Sequence, residues 1–273
     1  VKLSQTLLGS DCLRAMQFKI EDDLYRGGII RATGTGFHAG LALMYVYRQA
    51  EMEPPTFIEM ENAAYVALDQ EIVWAEDRFI WDKKIPTVED AQNTISTMLG
   101  AYMLDKTPAV WPADWKVLGV EVPFEMLMVP GQGPITRTSR GIDLVLQAPD
   151  GGIVAVDHKT GAKGWGTGGK AHPRKNVQAP WYIPAMRQLW PDAPYYRFVF
   201  DVMRYDGVFQ RFISDPQDKH IAAVESKALS VKGLWDWHLQ SGLDLPANPS
   251  SNLCNPLYCD YFDQCPHGRV LEQ

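Results

Sequence analysis

Two acids and a lysine sit on adjoining apolar stretches of this chain. Asp143 lies in Gly141-Ile-Asp143-Leu-Val-Leu; Asp157 and Lys159 lie in Val154-Ala-Val-Asp157-His-Lys159-Thr-Gly161. Charges on apolar strands are costly unless something pairs with them. Pro149-Asp150-Gly151-Gly152 between the two stretches reads as a hairpin turn. If Asp150-Gly151-Gly152 forms a three-residue loop with a Gly in its left-handed position, Pro149 pairs with Ile153. Asp143 then faces Lys159, and Asp157 lies on the same face two residues away. A four-residue loop would send the acids to opposite faces, so three is the length at which they converge. Two carboxylates on one half-buried face repel and push one pKa upward, which a divalent cation resolves. Oxygen-rich sites suit Mg²⁺ or Mn²⁺, with waters and a phosphate completing the shell. A lysine beside such a site can orient an attacking water and offset charge on phosphorus. The blander reading makes Asp157 and Lys159 a structural pair and Asp143 a solubilising residue of a strand edge, but both stretches are too apolar for edges.

The elements that must position these residues follow from periodicity and breakers. Residues 29–50 read as a turn followed by a largely buried helix, and 57–82 and 87–105 as two more, the last entered at Thr87 with Glu89 and Asp90 in its first turn. Pro108 and Pro112 break the chain. Residues 116–128, 141–148 and 152–159 read as a meander of three strands, and 176–190 as a helix that must place Pro180 and Pro184 in its first turn or kink. Residues 195–205 are a fourth strand with 207–213 as its hairpin partner, 216–240 a last helix, and the tail from Leu245 irregular. The order helices, β-β-β, helix, β, helix describes an α/β or α+β domain with a mixed sheet.

Composition bounds the rest. The 273 residues are 46% hydrophobic and 22% charged, enough for a core without disulfide staples. No run is apolar enough to span a membrane, and the first residues lack a small-residue cleavage pattern, so no secretory leader is expected. The net charge of −7 argues against coating nucleic acid by bulk attraction. From Gly131 to Arg187, however, eight basic residues face three acidic ones, a net of +5 that leaves −12 for the remainder.

Four cysteines, Cys12 and the late trio Cys254, Cys259 and Cys265, are too unevenly placed to read simply as two disulfides. Two glycine patterns are decoys. Gly34-Thr-Gly36-Phe-His-Ala39 lacks the strand that should precede a dinucleotide-binding turn. Gly164-x4-Gly169-Lys170 resembles a phosphate loop, but Ala171 stands where Ser or Thr must hold magnesium, and His172-Pro173 blocks the helix that should follow.

Gly-x-x-Asp143 followed by Asp157-x-Lys159-Thr-Gly resembles the core of the PD-(D/E)XK nuclease superfamily, and specifically its RecB-like branch. In order along the chain, His38 resembles that branch's metal-ligating histidine on the first core helix, Glu121 its early acid, and Gln178 with Tyr182 its Gln-x-x-x-Tyr signature. The literal Pro149-Asp150 falls in the turn, so Asp143 is the better ligand. Each residue has a plainer alternative: His38 a satisfied core histidine, Glu121 a solvent-facing strand residue, Gln178 and Tyr182 ordinary packing one helical turn apart. His158 points away from Asp157 and Lys159 and reads as structural, with the resemblance implying that its carbonyl touches the metal. Cys12 before the core and Cys254-x4-Cys259-x5-Cys265 after it have the layout of the iron–sulfur members of that branch. Four thiolates suit a [4Fe–4S] cluster or Zn²⁺. Zinc sites usually show closer cysteine pairs; His267 could replace a cysteine but is not expected to.

The resemblance implies a restriction-endonuclease-like core in one nuclease domain, 1–273. Within it, 1–28 would be a cluster arm, 29–115 a helical part, 116–213 the sheet core, and 214–273 the last helix and cluster tail. The function it implies is a Mg²⁺- or Mn²⁺-dependent DNA exonuclease processing ends for recombination, repair or replication, akin to stand-alone viral recombination or CRISPR-adaptation nucleases. His38, Asp143 and Asp157 would hold the metal with Glu121 assisting, and Lys159 would position the water. Lys163, Trp165, Lys170, Arg174 and Lys175 would grip the strand by phosphate contacts and stacking. No helicase or ATPase motif is present, so unwinding falls to a separate helicase, or strand handling to a single-strand annealing or binding protein. A cytoplasmic setting is expected, bacterial, archaeal or that of a virus-infected host. The rivals are an inactive DNA-binding or scaffold subunit and a zinc-stabilised interaction module.

Overall fold

The computed structural model of the chain describes residues 2–9, 12–21, 27–104, 110–128, 135–163, 165, 176–250, 254, 259, 261–262 and 264–266. Its elements run β1 (Lys2–Ser4), α1 (Gln5–Leu8), α2 (Leu13–Glu21), α3 (Ile29–Gln49), α4 (Phe57–Ala75), α5 (Val88–Met103), β2 (Lys116–Leu127), β3 (Thr136–Gln147), β4 (Ile153–Gly161), α6 (Gln178–Leu189), β5 (Tyr196–Arg204), β6 (Phe209–Ser214) and α7 (Asp218–Ser241). They fall into two compact units. None of the described helices is long and apolar enough to cross a membrane.

The larger unit comprises Gly27–Phe124 and Ser139–Ile221. Its strands follow the order β3-β4-β5-β6, with β2 also pairing β3. β3 and β4 are antiparallel, β4 and β5 parallel through the α6 crossover, and β5 and β6 antiparallel. This is the expected mixed α/β sheet, and it fits a restriction-endonuclease-like core. Alternation divides the sheet's side chains. Leu144, Leu146, Val154, Val156, Val199 and Met203 join the core that α3, α4 and α5 build with Phe37, Leu41, Leu68, Ile95 and Leu99. On α6, Trp181, Tyr182, Ala185 and Met186 are buried, and the Tyr182 ring meets Phe198 of β5 edge-on.

Local chemistry sets the helix limits. Thr87 caps α5: its Oγ accepts from the Asp90 N–H (3.1 Å) and its hydroxyl donates to the Asp90 carboxylate (2.6 Å). Thr56 and Glu59 do the same reciprocally for α4, the Thr56 N–H donating to Glu59 at 2.7 Å. The helix expected over 57–82 stops at Ala75, and a short 3-10 turn, Glu76–Arg78, follows. Gly34 and Gly36 lie inside α3, away from any strand-to-helix turn. A Cβ at Gly36 would lie 2.8 Å from the Ala64 carbonyl and 2.7 Å from Ile95, so this glycine exists to let α4 and α5 approach. The decoy at Gly164–Lys170 lies outside the described residues apart from Trp165.

The hairpin differs from expectation by one residue. Its loop is three residues long with a left-handed glycine, but it is Pro149-Asp150-Gly151, with Gly151 at φ +87°. The Ala148 N–H donates to the Gly152 carbonyl and the Gly151 N–H to the Ala148 carbonyl, both at 2.8 Å. A tight turn followed by a left-handed glycine closes one pair earlier than a turn that starts at Asp150. The ladder therefore runs Gln147↔Ile153 to Leu144↔Val156 and ends there; counted on by one, the same register puts Asp143 opposite Asp157, where Lys159 was expected. The shift is two in register, so both acids keep their common face.

The smaller unit comprises Val1–Arg26, Glu125–Thr138 and Ala222–Gln273. Here β1 pairs parallel with the start of β3, Lys2↔Thr136 to Ser4↔Thr138. Neither β1 nor the short helices α1 and α2 carries a period long enough to be read from sequence. The buried Arg137 guanidinium donates to Glu225 of α7 at 2.7 Å. The segment after α7 is tied to α2: the Leu245 N–H donates to Gln17 (2.8 Å) and the Arg14 N–H to the Pro246 carbonyl (3.2 Å).

Candidate metal centre

β3 and β4 part company just above Leu144↔Val156, and the acids sit at that fork. The Asp143 carboxylate replaces the next ladder bond: its Oδ2 accepts the His158 N–H at 2.7 Å. His38 reaches the same oxygen from α3, with Nδ1 3.5 Å away. Glu121 enters from β2. Its backbone has φ +51°, a left-handed conformation that costs a non-glycine residue of order 1 kcal/mol or more. Ligand atoms of His38, Glu121 and Asp143 all lie within 4.8 Å of one another. Burial raises the Glu121 pKa, and the neighbouring Asp143 raises it further.

Asp157 is 4% exposed on the face toward α6. Gln178 Nε2 donates to its Oδ1 at 2.7 Å. Lys159 Nζ lies 2.6 Å from Oδ2 as an ion pair, yet that buried oxygen receives no hydrogen bond of good geometry. Burial outweighs the lysine and holds the Asp157 pKa up at about 6, with Asp143 adding to the rise. Tyr182 is packed against Phe124 and Phe198, its hydroxyl 3.0 Å from Ser139 Oγ, and burial raises its pKa. Ser139 in turn donates to the Gly141 carbonyl (2.9 Å), which ties the helix signature to the strand carrying Asp143.

His158 points the other way, as expected. Its ring stacks on Tyr45 and meets His38 and Tyr102 edge-on, and burial pushes its pKa down to about 3. Beneath it, Asp201 (register partner of His158) is held by Arg211 Nε and Nη2 at 2.6 and 2.7 Å, and the Tyr45 and Tyr102 hydroxyls bond each other at 2.8 Å. Ser139, Tyr45, Tyr102, Asp201 and Arg211 carry no spacing signal in the sequence; only the register brings them under the site.

Of the expected strand-gripping residues, Lys163 is exposed just beyond β4. Trp165 is half-buried, its ring packed on Phe200 (5.1 Å) and Phe212 (6.4 Å), with its N–H donating to Gln210. Lys170, Arg174 and Lys175 lie outside the described residues, as does His267.

In the smaller unit the four cysteines form no disulfide with one another. Burial raises the pKa of Cys254 and Cys259; Cys12 and Cys265 raise both further, and Cys254 adds to the rise at Cys259. The Asn248 N–H donates to Cys12 Sγ at 3.4 Å. The N-terminal cysteine and the late trio thus occupy one neighbourhood.

A histidine and convergent carboxylates beside a lysine, at the fork of a mixed sheet, define a site for a divalent cation acting on an anionic substrate. The sequence profile of the PD-(D/E)XK nuclease superfamily matches residues 12–266, and the chain belongs to that superfamily of divalent-metal-using nucleases. No curated protein sequence matches the chain.

Proposed function

We propose that this protein is a Mg²⁺- or Mn²⁺-dependent deoxyribonuclease, an exonuclease of the RecB-like kind that processes DNA ends for recombination, repair or replication. One observation carries the reading: His38, Glu121 and Asp143 bring ligand atoms within 4.8 Å of one another, next to the buried Asp157–Lys159 pair. The residues fit a divalent cation. Burial, and Asp143 after it, raise the pKa of Glu121 and Asp157, and buried Asp157 Oδ2 makes no well-formed hydrogen bond among the described residues beyond its ion pair with Lys159. A cation bound there supplies Lewis-acid polarisation of the phosphodiester and neutralises charge.

The chain's own residues do the rest. Gln178 fixes the Asp157 carboxylate through Oδ1, so that Oδ2 keeps its aim. The His158 N–H fixes Asp143 in the same way. Lys159 sits where it can position the attacking water and offset charge developing on the phosphate. Tyr182, through Ser139, braces the strand from below. Lys163 extends positive charge outward from the site.

The cysteines are proposed to hold a structural [4Fe–4S] cluster. Cys12, Cys254 and Cys265 all act on the Cys259 thiol, so the four lie close enough to share one group. A cluster of this kind fits a reducing compartment such as the cytosol. With no motor motif in the chain, a helicase or a single-strand annealing protein is the partner that would feed it strands. Digestion of end-labelled DNA with Mg²⁺ or Mn²⁺ tests the reading: cutting that stops with EDTA and with Asp157→Ala supports it, and cutting by folded Asp157→Ala overturns the site. A visible spectrum with iron and sulfide assays, taken without oxygen, separates the cluster from zinc.

A further inference from the structure

Trp165, just beyond the strand that carries Asp157 and Lys159, is committed to packing on Phe200 and Phe212. A different tryptophan is presented to solvent at the open end of the site. Trp81 is 43% exposed, and the segment carrying it is pinned to the entry of α3. Gly28 and Ile80 form a parallel bridge; the Ile29 N–H donates to the Ile80 carbonyl (2.9 Å) and the Ile80 N–H to the Gly27 carbonyl (3.0 Å). A Cβ at Gly27 would lie 2.3 Å from Ala75 and 2.9 Å from the Phe79 ring, so the glycine is needed for this approach. Phe79 braces Trp81 edge-on at 5.1 Å. Beyond it, Asp82 closes a turn by accepting the Lys84 N–H at 2.8 Å, with the buried Ile85 as anchor. The turn is therefore held on both sides while Trp81, Lys83 and Lys84 stay exposed.

The direction from this turn to the metal centre is fixed by α3. The helix runs antiparallel to β4: His38 meets His158, and Gly34 lies against Thr160, where a Cβ would be 3.0 Å from Oγ1. One turn earlier, the start of α3 exposes Ile30 and Arg31, on the side where β4 leads out to the exposed Lys163. From Ile29 to His38 the helix rises about 14 Å, a span of a few nucleotides of unpaired strand. In a chain of net charge −7, Arg78, Lys83 and Lys84 outnumber Asp82 in the seven residues around Trp81. An exposed, braced indole among cations, a few nucleotides from a cation site, has the chemistry of a stacking platform for unpaired bases. A duplex keeps its internal base faces covered and offers the indole only the outer face of a terminal pair.

We infer that Trp81, flanked by Lys83, Lys84 and Arg31, stacks a base of single-stranded nucleic acid whose backbone runs along α3 to the metal centre. The inference rests on the nuclease reading and adds its substrate form: an unpaired end.

The test is fluorescence anisotropy with a fluorescein-labelled oligo-dT strand and a duplex of the same length, in EDTA so that nothing is cut. Trp81→Ala weakens strand binding about 5- to 100-fold and duplex binding far less, while Trp81→Phe keeps most of the affinity. Lys83→Gln with Lys84→Gln lowers the slope of log affinity against log salt by about 0.7 for each phosphate no longer neutralised. Trp74→Ala, at another exposed tryptophan but on α4 with its four acids and no basic residue, changes nothing. Wild-type strand binding by folded Trp81→Ala overturns the inference and leaves the patch to a protein partner; equal losses for strand and duplex overturn it too. If Trp81→Ala melts abnormally, Trp81→Phe and the lysine pair decide, and unchanged affinity and salt slope in the lysine pair counts against it. Trp81-dependent strand binding without any cutting in Mg²⁺ or Mn²⁺ would retain this inference and sink the nuclease reading; cutting with Trp81-independent binding would do the reverse.

Discussion

Glu121 reaches the metal centre only because residue 141 is glycine: a Cβ there would lie 2.6 Å from Glu121 Oε2 and 3.1 Å from the Glu121 backbone. The carboxylate end can swing aside only by leaving this position, and the Glu121 backbone, already at φ +51°, has to give by a few tenths of an ångström. Gly141→Ala is therefore expected to displace the carboxylate, weaken divalent-ion dependence of cutting at least about tenfold, and cost about 1–3 kcal/mol by overpacking. Activity titrated against Mg²⁺, together with thermal melting, checks both. Wild-type metal dependence in Gly141→Ala would remove Glu121 from the site.

Asp157 gives the metal-free protein a characteristic pH response. Its folded pKa of about 6 lies above the ordinary 3.8, so the folded state holds its proton more tightly than the unfolded state. Stability from this group is full below about 4, falls as pH rises from about 4 to 6, and is flat above. Asp157→Asn removes the response. In EDTA, the melting temperature of wild type minus that of Asp157→Asn should fall across that window, and metal affinity should rise over the same pH range. A difference that rises with pH would mean that Lys159, not burial, controls the carboxylate.

The chemistry was more legible in the sequence than its register. Asp143, Asp157 and Lys159 stand out because charge is costly on apolar strands, and a period of two assigns them a face once the loop length is known. The loop's exact residues are another matter. Pro149-Asp150-Gly151 and Asp150-Gly151-Gly152 both supply a left-handed glycine, and only the chain's choice of closing pair separates Asp143-opposite-Asp157 from Asp143-opposite-Lys159. Long amphipathic helices such as α3 and α5 declare themselves through repeated apolar positions. β1, α1 and α2 are too short to do so, and the polar cluster beneath His158 is assembled from α3, α5, β5 and β6 by packing alone.

That cluster has a measurable weak point. Asp201 is 1% exposed and pairs across the sheet with Arg211, which also lies over the Trp111 ring at 3.9 Å. Arg211→Met strands a buried carboxylate and is expected to cost about 3–5 kcal/mol. Asp201→Asn with Arg211→Met should recover much of that, because no uncompensated charge remains. Urea unfolding of the two variants decides it; a double variant no better than the single would locate the loss in the Trp111 stacking.

Burial, and then the neighbouring Cys12, Cys254 and Cys265, raise the Cys259 pKa, a cost that a bound metal group reverses by taking the thiol as thiolate. Cys259→Ala should lose the brown chromophore and lower the melting temperature, with the metal centre's Mg²⁺ response retained in the protein that stays folded. Normal colour and normal melting would dismiss the cluster.

His238 ties the end of α7 to α2 and to the segment leading toward the cysteines. Nδ1 lies 2.6 Å from the Leu243 carbonyl and Nε2 2.8 Å from Glu21, so both ring nitrogens face acceptors and only the imidazolium can donate to both. The Leu243 carbonyl, followed by Glu21, raises its pKa above the ordinary 6.5. A raised histidine pKa contributes stability that is whole below about 6.5 and drains away as pH climbs through the folded value. His238→Gln can satisfy one acceptor and never both, and it does not titrate. Wild type should therefore outlast His238→Gln in thermal melts near pH 6, and the gap should narrow steadily toward pH 9. A gap that stays constant over that range would show that the ring contributes by packing, as in its contact with Trp235 of the same helix 5.1 Å away, rather than by its charge.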